Sequence, residues 1–308
     1  MCVITIENSS TRTTSATFVP VRFGVGNSSS VSEFGGIYWE WVHNQSGVCM
    51  KKHEDKVVII TGAAQGLGFA CVERFLSDGS KVFMVDLQKD KLDELVERLG
   101  DRVSAYACDL SEISSALAAD IVAKAVAVFG RVDVLVNNAG IMETADFVDF
   151  PEDVFDRTQR INVKAAFLIG QAVARQMIKQ GHGGAVVNMS SVNANLAIPT
   201  AVAYAVSKGA MKQLTAVMGV SLIPHGIRVN AVGPGTILTE LVTKSVMGNE
   251  QARRNLLART PIGRCGEPAE VASVVSFLAS DDASYMVGQT IYPDGGRMIV
   301  NYTVPVNE

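Results

Sequence analysis

A phenol and an ammonium four positions apart, in the run Tyr204-Ala-Val-Ser-Lys208, set out the chemistry open to this chain. That spacing places both side chains on one face of a helix. A cation beside a phenol favours the phenolate, so the pair can give and take a proton. Tyr-x-x-x-Lys alone arises often by chance: Tyr204 near a helix start also reads as a packing residue, and Lys208 as a solvated cation. Two neighbours in the chain add weight. Ser191, thirteen residues upstream, ends the apolar run Gly184-Ala-Val-Val-Asn-Met-Ser-Ser191. Earlier, the glycine-rich run Thr61-Gly-Ala-Ala-Gln-Gly-Leu-Gly68 follows the first apolar stretch.

These residues need a frame to bring them together. Short runs rich in β-branched residues predict strands over Val57–Thr61, Lys81–Asp86, Val103–Asp109, Val132–Asn137, Gly184–Ser190, Ile227–Val232 and Gln289–Tyr292. Helical stretches separate them, among them Gly66–Asp78, Ser111–Phe129, Pro151–Gln180, Tyr204–Ile223 and Pro268–Ser280. Alternation of helices with fully apolar strands predicts an α/β fold, a parallel sheet with helices on both faces. No internal repeat is present. The economical reading is one doubly wound, Rossmann-type domain over residues 51–308, with a seven-stranded sheet.

Residues 1–50 differ. They are rich in Ser, Thr, Asn and Gly, poor in charge and without a sustained period. They lack the basic start and apolar core of a secretory signal, and are poor in Arg for a transit peptide. The plain reading is a loosely ordered leader. A sharper one takes Met50 as the natural start, because Lys51-Lys-His-Glu-Asp-Lys56 is a typical polar approach to a first strand.

Bulk numbers narrow the function classes. The chain of 308 residues is 48% apolar and 19% charged, as expected of a soluble globular protein. A net charge of −4 offers no broad basic field for nucleic acid. No apolar run approaches the roughly 20 residues that span a bilayer. The five cysteines (Cys2, Cys49, Cys71, Cys108, Cys265) show no Cys-x-x-Cys pair, which argues against a disulfide framework or a zinc site and for reduced thiols in the cytoplasm. The four histidines are equally dispersed, so no metal centre is expected.

In open α/β sheets ligands bind at the carboxyl ends of the strands. Gly62 would let the chain turn sharply out of the first strand. Gly66 and Gly68 would let backbone approach a pyrophosphate and let the helix pack close to the sheet. The N-terminus of that helix suits a phosphate. The spacing is Gly-x-x-x-Gly-x-Gly rather than Gly-x-Gly-x-x-Gly, and a ligand-free glycine turn would look the same. Asp86, eighteen residues after Gly68, stands where an acid would accept from the ribose hydroxyls. It would also repel a 2′-phosphate, and neither Gln65 nor Leu87 is basic, although Lys89 is near. NAD is therefore favoured over NADP. Asp86 also fits a helix N-cap, and both roles can coexist. Asp109 could accept from an adenine amino group, but capping of the helix after it is the stronger reading. Asn137-Asn-Ala-Gly140 lets backbone pass close to a ligand, or is a plain turn.

Taken together, Lys56 to Gly296 resembles a short-chain dehydrogenase/reductase of the common single-domain type. The glycine-rich turn is similar to that family's cofactor turn, and Asn137-Asn-Ala-Gly140 to its strand-four motif. Asn162, Ser191, Tyr204 and Lys208 fall where the family carries its catalytic tetrad. Pro234-Gly235 with Thr236 and Thr239 is similar to its nicotinamide loop, and Gly263-Arg264, Pro268, Glu270 and Asp294-Gly-Gly296 to its C-terminal signatures. The leader and the tail Arg297–Glu308 depart from the pattern.

The resemblance implies that Tyr204 exchanges a proton with substrate oxygen while hydride moves to or from the nicotinamide. Lys208 would stabilise the phenolate and grip the ribose, Ser191 would hold the substrate oxygen, and Asn162 would bind a relay water. The cofactor set it implies is Gly62, Gln65, Gly66, Leu67, Gly68, Asp86, Asp109, Leu110, Asn138, Ala139, Gly140, Tyr204, Lys208, Pro234, Gly235, Thr236 and Thr239. Bringing a phenol from near 10 to near 7 needs about 4 kcal/mol. One ammonium at about 4 Å supplies that only at an effective dielectric of about 20, in a partly water-excluded site. A homotetramer or homodimer is also implied. Substrate choice would lie in Val192–Thr200 and in residues 236–259. The first mixes amides with apolar residues, which suits a secondary alcohol of the sugar, polyol or cyclic class; Asn193 and Asn195 could bind hydroxyls or merely satisfy loop backbone. A ketoreductase of 3-oxoacyl thioesters and a non-catalytic dinucleotide sensor are the alternatives.

Overall fold

The central strands of the sheet are almost wholly shielded. In β1 (Val57–Thr61) all five residues are buried, with Val58 and Ile60 on one face and Ile59 on the other. A strand covered on both faces has no polar side to show, so the run reads as continuous β-branched residues. The computed structural model describes residues 52–239, 242 and 249–306; the expectations for residues 1–50 and part of 236–259 lie outside them.

β1 is followed by α1 (Gly66–Ser77), β2 (Lys81–Asp86), α2 (Lys89–Leu99), β3 (Val103–Ala107), α3 (Ser115–Phe129) and β4 (Val134–Asn137). Then come α4 (Glu152–Gln159), α5 (Ala165–Gln180), β5 (Gly184–Met189), α6 (Val202–Leu222), β6 (Ile227–Val232), α7 (Glu250–Leu257), α8 (Pro268–Ala279) and β7 (Thr290–Ile291). The seven strands are all parallel, in the order β3-β2-β1-β4-β5-β6-β7. The chain winds outward from β1 to β3, then returns to the other side of β1 through β4. The carboxyl ends of β1 and β4 therefore flank the reversal, where an open sheet leaves a crevice. One core layer joins Val58 and Ile60 to Val72 and Phe75 of α1 and Val271 and Val275 of α8. The other joins Ile59 and Leu135 to Ile121 of α3 and Ile169 and Met177 of α5.

Most element bounds differ from the sequence reading by a residue or two, and three of the differences have a clear local reason. β3 ends at Ala107, because Asp109 turns the chain by accepting from Ser111 N at 2.7 Å and opening a 3-10 turn, Leu110–Glu112. The helix expected from Ser111 starts at Ser115, where Ser114 Oγ accepts from Leu117 N. The helix expected over Pro151–Gln180 is interrupted by a π-helical turn, Arg160–Lys164, centred on Asn162. Such a turn inserts one residue and re-aims the side chains around it. Among the described residues, no helix is long and apolar enough to cross a membrane.

His53, just before β1, ties the N-terminal end of this unit to α8. Its Nε2 lies 3.0 Å from Ser276 O and 3.2 Å from Ser276 Oγ. Ser276 Oγ donates to Asp78 Oδ2 at 2.6 Å, so the imidazole must donate through Nε2. Nδ1 is buried with no partner. A second proton there would find no acceptor, and burial accordingly pushes the imidazole below its ordinary 6.5. The unfolded chain takes up a proton as pH falls through about 6.5, and the folded chain does not. Stability is thus lost on acidification below that value. We expect the thermal midpoint to fall as pH drops below 6.5, and His53→Gln, which keeps an N–H donor, to flatten that slope. Identical slopes would contradict the assignment.

Candidate active site

The first turn leaves β1 with Gly62 at φ +65° and Gly66 at φ +56°, a backbone region open to glycine. Gly68 has no room for any side chain: a Cβ there would lie 1.9 Å from Gly62 O and 2.6 Å from Asn138 Nδ2. The turn is clasped to β4. Thr61 Oγ1 accepts from Asn138 N at 3.1 Å and Ala139 N at 3.0 Å, while Asn138 Nδ2 donates to Thr61 O and Gly62 O, both at 3.0 Å. α1 opens with no side-chain cap and no acidic residue in its first turn. Its leading N–H groups and its dipole are left for an anion.

Asp86, at the end of β2, is buried and tied into this turn. Its Oδ2 accepts from Ala64 N and its Oδ1 from Gln88 N, each at 3.0 Å. It is not a helix cap: α2 begins after Gln88, without a side-chain capping bond. Lys91, which the sequence reading passed over, donates to Gln65 Oε1 at 3.2 Å across the mouth of the turn. Lys89 is turned away onto Asp93.

At the other side of the crevice Lys208 is buried in α6. Its Nζ donates to Met189 O at 2.9 Å and stands 5.4 Å from the centre of the Tyr204 ring. Gly140 lies against Asn162: a Cβ there would meet Asn162 Oδ1 at 3.3 Å, a tight contact, and Lys208 Nζ at 3.6 Å, an ordinary one. Ser190 Oγ donates to Lys208 O at 3.1 Å, which pins α6 to the end of β5. Asn162 locks the loop after β4: Oδ1 accepts from Ile141 N at 2.8 Å, and Nδ2 donates to Ile141 O at 3.0 Å and Ser207 Oγ at 2.9 Å. Its amide is largely engaged by protein, so it acts first as a clamp between the π-turn, the loop and α6. Burial holds the Tyr204 phenol above its ordinary value, and the Ser191 hydroxyl beside it pulls the other way without offsetting this. Burial also pushes Lys208 down to about 8. The expected net lowering of the phenol by the lysine is therefore not what the protein groups alone produce; desolvation is the larger effect on both.

A cleft of about 650 Å³ joins the two ends. Of the expected cofactor residues, Gly62, Gln65, Leu67, Asp86, Asp109 and Leu110 line one end. Asn138, Ala139, Gly140, Pro234, Gly235 and Thr239 line the middle, with Ser191, Tyr204 and Lys208 at the other end. Gly66, Gly68, Thr236 and Asn162 do not reach the wall. Gly66 lies beneath Thr239, Gly68 packs on Gly62, and Thr236 O accepts from Gly266 N. The wall also includes Leu87, Cys108, Ile141, Met142, Met189, Ser190 and Ile237, which the sequence reading did not assign to the cofactor. Each adjoins a motif that it did name, and that adjacency was the available signal. The thiol of Cys108 is pushed up to about 11, mainly by burial and then by Asp109, so it is inert near neutral pH. Asn195, read as a candidate for substrate hydroxyls, is held by Tyr292 Oη and Lys212 Nζ, both at 2.7 Å.

An uncapped helix N-terminus, a turn with no space for a Cβ and a strand-end carboxylate fit a dinucleotide at the sheet reversal. With a buried Tyr–Lys pair beside a serine, they define a Rossmann-type oxidoreductase. The comparisons agree. A family model described as enoyl-(acyl carrier protein) reductase matches residues 62–297. L-rhamnose 1-dehydrogenase (NAD(P)(+)) of Sphingomonas sp. (strain SKA58) is 40% identical over 254 residues, covering 81% of this chain and 99% of that protein. The 3-oxoacyl-[acyl-carrier-protein] reductase FabG of Thermotoga maritima is 41% identical over 249 residues, covering 80% and 99%. The solved structure of gox2181 matches with TM-score 0.76 at 34% identity, over 80% of this chain and 97% of that one. The chain belongs to the short-chain dehydrogenase/reductase family, and it is a nicotinamide-dependent oxidoreductase. Since any side chain at position 68 strikes backbone, Gly68→Ala should weaken NADH binding more than tenfold and lower stability by about 1–3 kcal/mol. Fluorescence titration and thermal melting read the two effects, and wild-type affinity in that variant would contradict the assigned turn.

Proposed function

We propose that the protein oxidises a secondary alcohol of the sugar, polyol or cyclic class with NAD. The observation that carries this is the single cleft joining the buried Tyr204, Lys208 and Ser191 to Asp86 at the end of β2. Asp86 supports NAD over NADP: its carboxylate would accept from ribose hydroxyls and repel a 2′-phosphate. Lys91 on Gln65 is the nearest counterweight.

The main-chain N–H groups at the start of α1 would hold the pyrophosphate, and Asp109 and Leu110 would flank the adenine. Asn138 to Gly140 and Pro234 to Thr239 would bracket the nicotinamide end. When bound, NAD supplies a hydride acceptor and a cationic ring. Tyr204 oxygen, as phenolate, takes the proton of the substrate hydroxyl as the carbinol hydrogen leaves as hydride. Lys208 favours that phenolate, and the low-dielectric site makes its charge count: at about 5 Å an ammonium contributes roughly 3 kcal/mol at an effective dielectric of about 20, against under 1 kcal/mol in water. Ser191 holds the substrate oxygen and offsets charge on it as the carbonyl forms. Asn162, through Ile141 and Ser207, keeps the lysine wall in register, and a relay water between Lys208 and solvent would fit beside it.

The substrate class rests on the relative that is a rhamnose dehydrogenase. The 3-oxoacyl reductase among the relatives sets the competing arm of the test. A panel of aldoses, polyols, cyclic alcohols and 3-oxoacyl thioesters, followed by nicotinamide absorbance with each cofactor, should show NAD reduction by at least one alcohol or aldose. Tyr204→Phe should bind NADH nearly as well and lose about 10²–10⁴-fold in kcat. Preferential use of NADPH on the thioester, NADH binding without turnover on any class, or undiminished turnover in the variant would overturn this reading.

A further inference from the structure

The serine beside Tyr204 has one proton and more than one acceptor within reach. Ser191 Oγ lies 3.2 Å from Asn193 Oδ1, to which it donates, and it accepts from Asn193 N at 3.1 Å. The amide cannot be turned the other way, because Asn193 Nδ2 donates to the backbone carbonyl of Leu196 at 3.1 Å. A carbonyl oxygen only accepts, so the amide nitrogen must face Leu196 and the amide oxygen must face Ser191. The same hydroxyl shares the cleft wall with the Tyr204 phenol and favours its ionised form. We propose that Asn193 is a positioning residue that holds the Ser191 proton in reserve, so that the serine presents a lone pair to the phenol and to an incoming alcohol.

The consequence is a competition. While the proton points at Asn193, Ser191 can accept from a hydroxyl, as a substrate alcohol requires. When the phenol ionises or a carbonyl forms, a stronger acceptor appears and the proton must swing to it, leaving Asn193. Every ionisation of Tyr204 thus carries the loss of one neutral hydrogen bond. That loss holds the phenolate back by between about half a pH unit and one unit. Few charges intrude on this balance. On α6, Lys208 is the cation beside Tyr204, and Lys212, a turn further on, is engaged by Asn195. The end of β5 brings Met189, Ser190 and Ser191, the π-turn brings Asn162, and the strand after α8 brings Tyr292, whose hydroxyl accepts from Asn195. No carboxylate is among them.

The proposal rests on Tyr204 and Ser191 acting as described above, and its test needs no alcohol substrate, so it stands or falls apart from the substrate class. Tyrosinate absorbance is titrated in the full-length protein saturated with NAD, with the matching Tyr204→Phe protein subtracted each time. Asn193→Leu removes the competing acceptor and should lower the midpoint of residue 204 by about half a unit to one unit. Asn193→Asp, a stronger acceptor, should raise it. In a Ser191→Ala background, Asn193→Leu should move nothing, because the effect runs only through the serine proton. A loop disturbed by the substitution would still shift the midpoint in that background. An unmoved midpoint in Asn193→Leu, a rise in it, or a shift that survives Ser191→Ala overturns the proposal.

Discussion

The structure depends on one ammonium kept out of water. Lys208 lies inside α6 with its Nζ on the Met189 carbonyl, and among the described residues no carboxylate pairs with it. Burying a lone cation is unfavourable, and its pKa falls in consequence. What surrounds it can be understood as the means of bearing that cost. A carbonyl dipole at the end of β5 faces the charge. A π-turn delivers Asn162, against which Gly140 packs, to fix the wall next to it. In return, a charge without water is strong at short range, which is the property a neighbouring phenol needs.

The sheet supplies the distances. β1 and β4 part company in topology at their carboxyl ends, and the Thr61–Asn138 clasp sews the glycine-rich turn to the end of β4. Further along the sheet, Asn137 Nδ2 donates to Asn188 Oδ1 at 2.9 Å, and Asn188 Nδ2 donates to Thr215 Oγ1 of α6 at 2.9 Å. The helix that carries Tyr204 and Lys208 is therefore registered to the same strands that carry the cofactor end. Buried polar bonds of this kind fix position more than they add stability. They make the separation between the two ends of the cleft a property of the fold rather than of a loop.

Much of this was legible in the residues. Apolar runs gave the strands, because a strand buried on both faces has to be apolar throughout. The positions of Gly62, Gly66 and Gly68 followed from the need for a turn without side chains. Tyr204, Lys208 and Ser191 could be placed together because helix period and strand end are local properties. What escaped was what depends on space rather than on chain order. Arg160–Lys164 continues a helical pattern without Gly or Pro, so its π-turn carries no local mark. Lys91 reaches Gln65 from twenty-six residues away. Asp109 ends its strand early by bonding to its own backbone. The direction of the Tyr204 shift turned on burial, which a sequence does not state, and desolvation outweighed the attractions counted from residue types.

In the proposed reaction the buried cation makes the phenol ionisable once NAD is in place. This effect is tested most directly by titrating Tyr204 in NAD-saturated protein, as wild type and as Lys208→Met, each against its Tyr204→Phe counterpart. An ammonium at about 5 Å in a site of effective dielectric about 20 corresponds to roughly two pH units. The midpoint should be higher by about that much in Lys208→Met. Equal midpoints in the two proteins would contradict it.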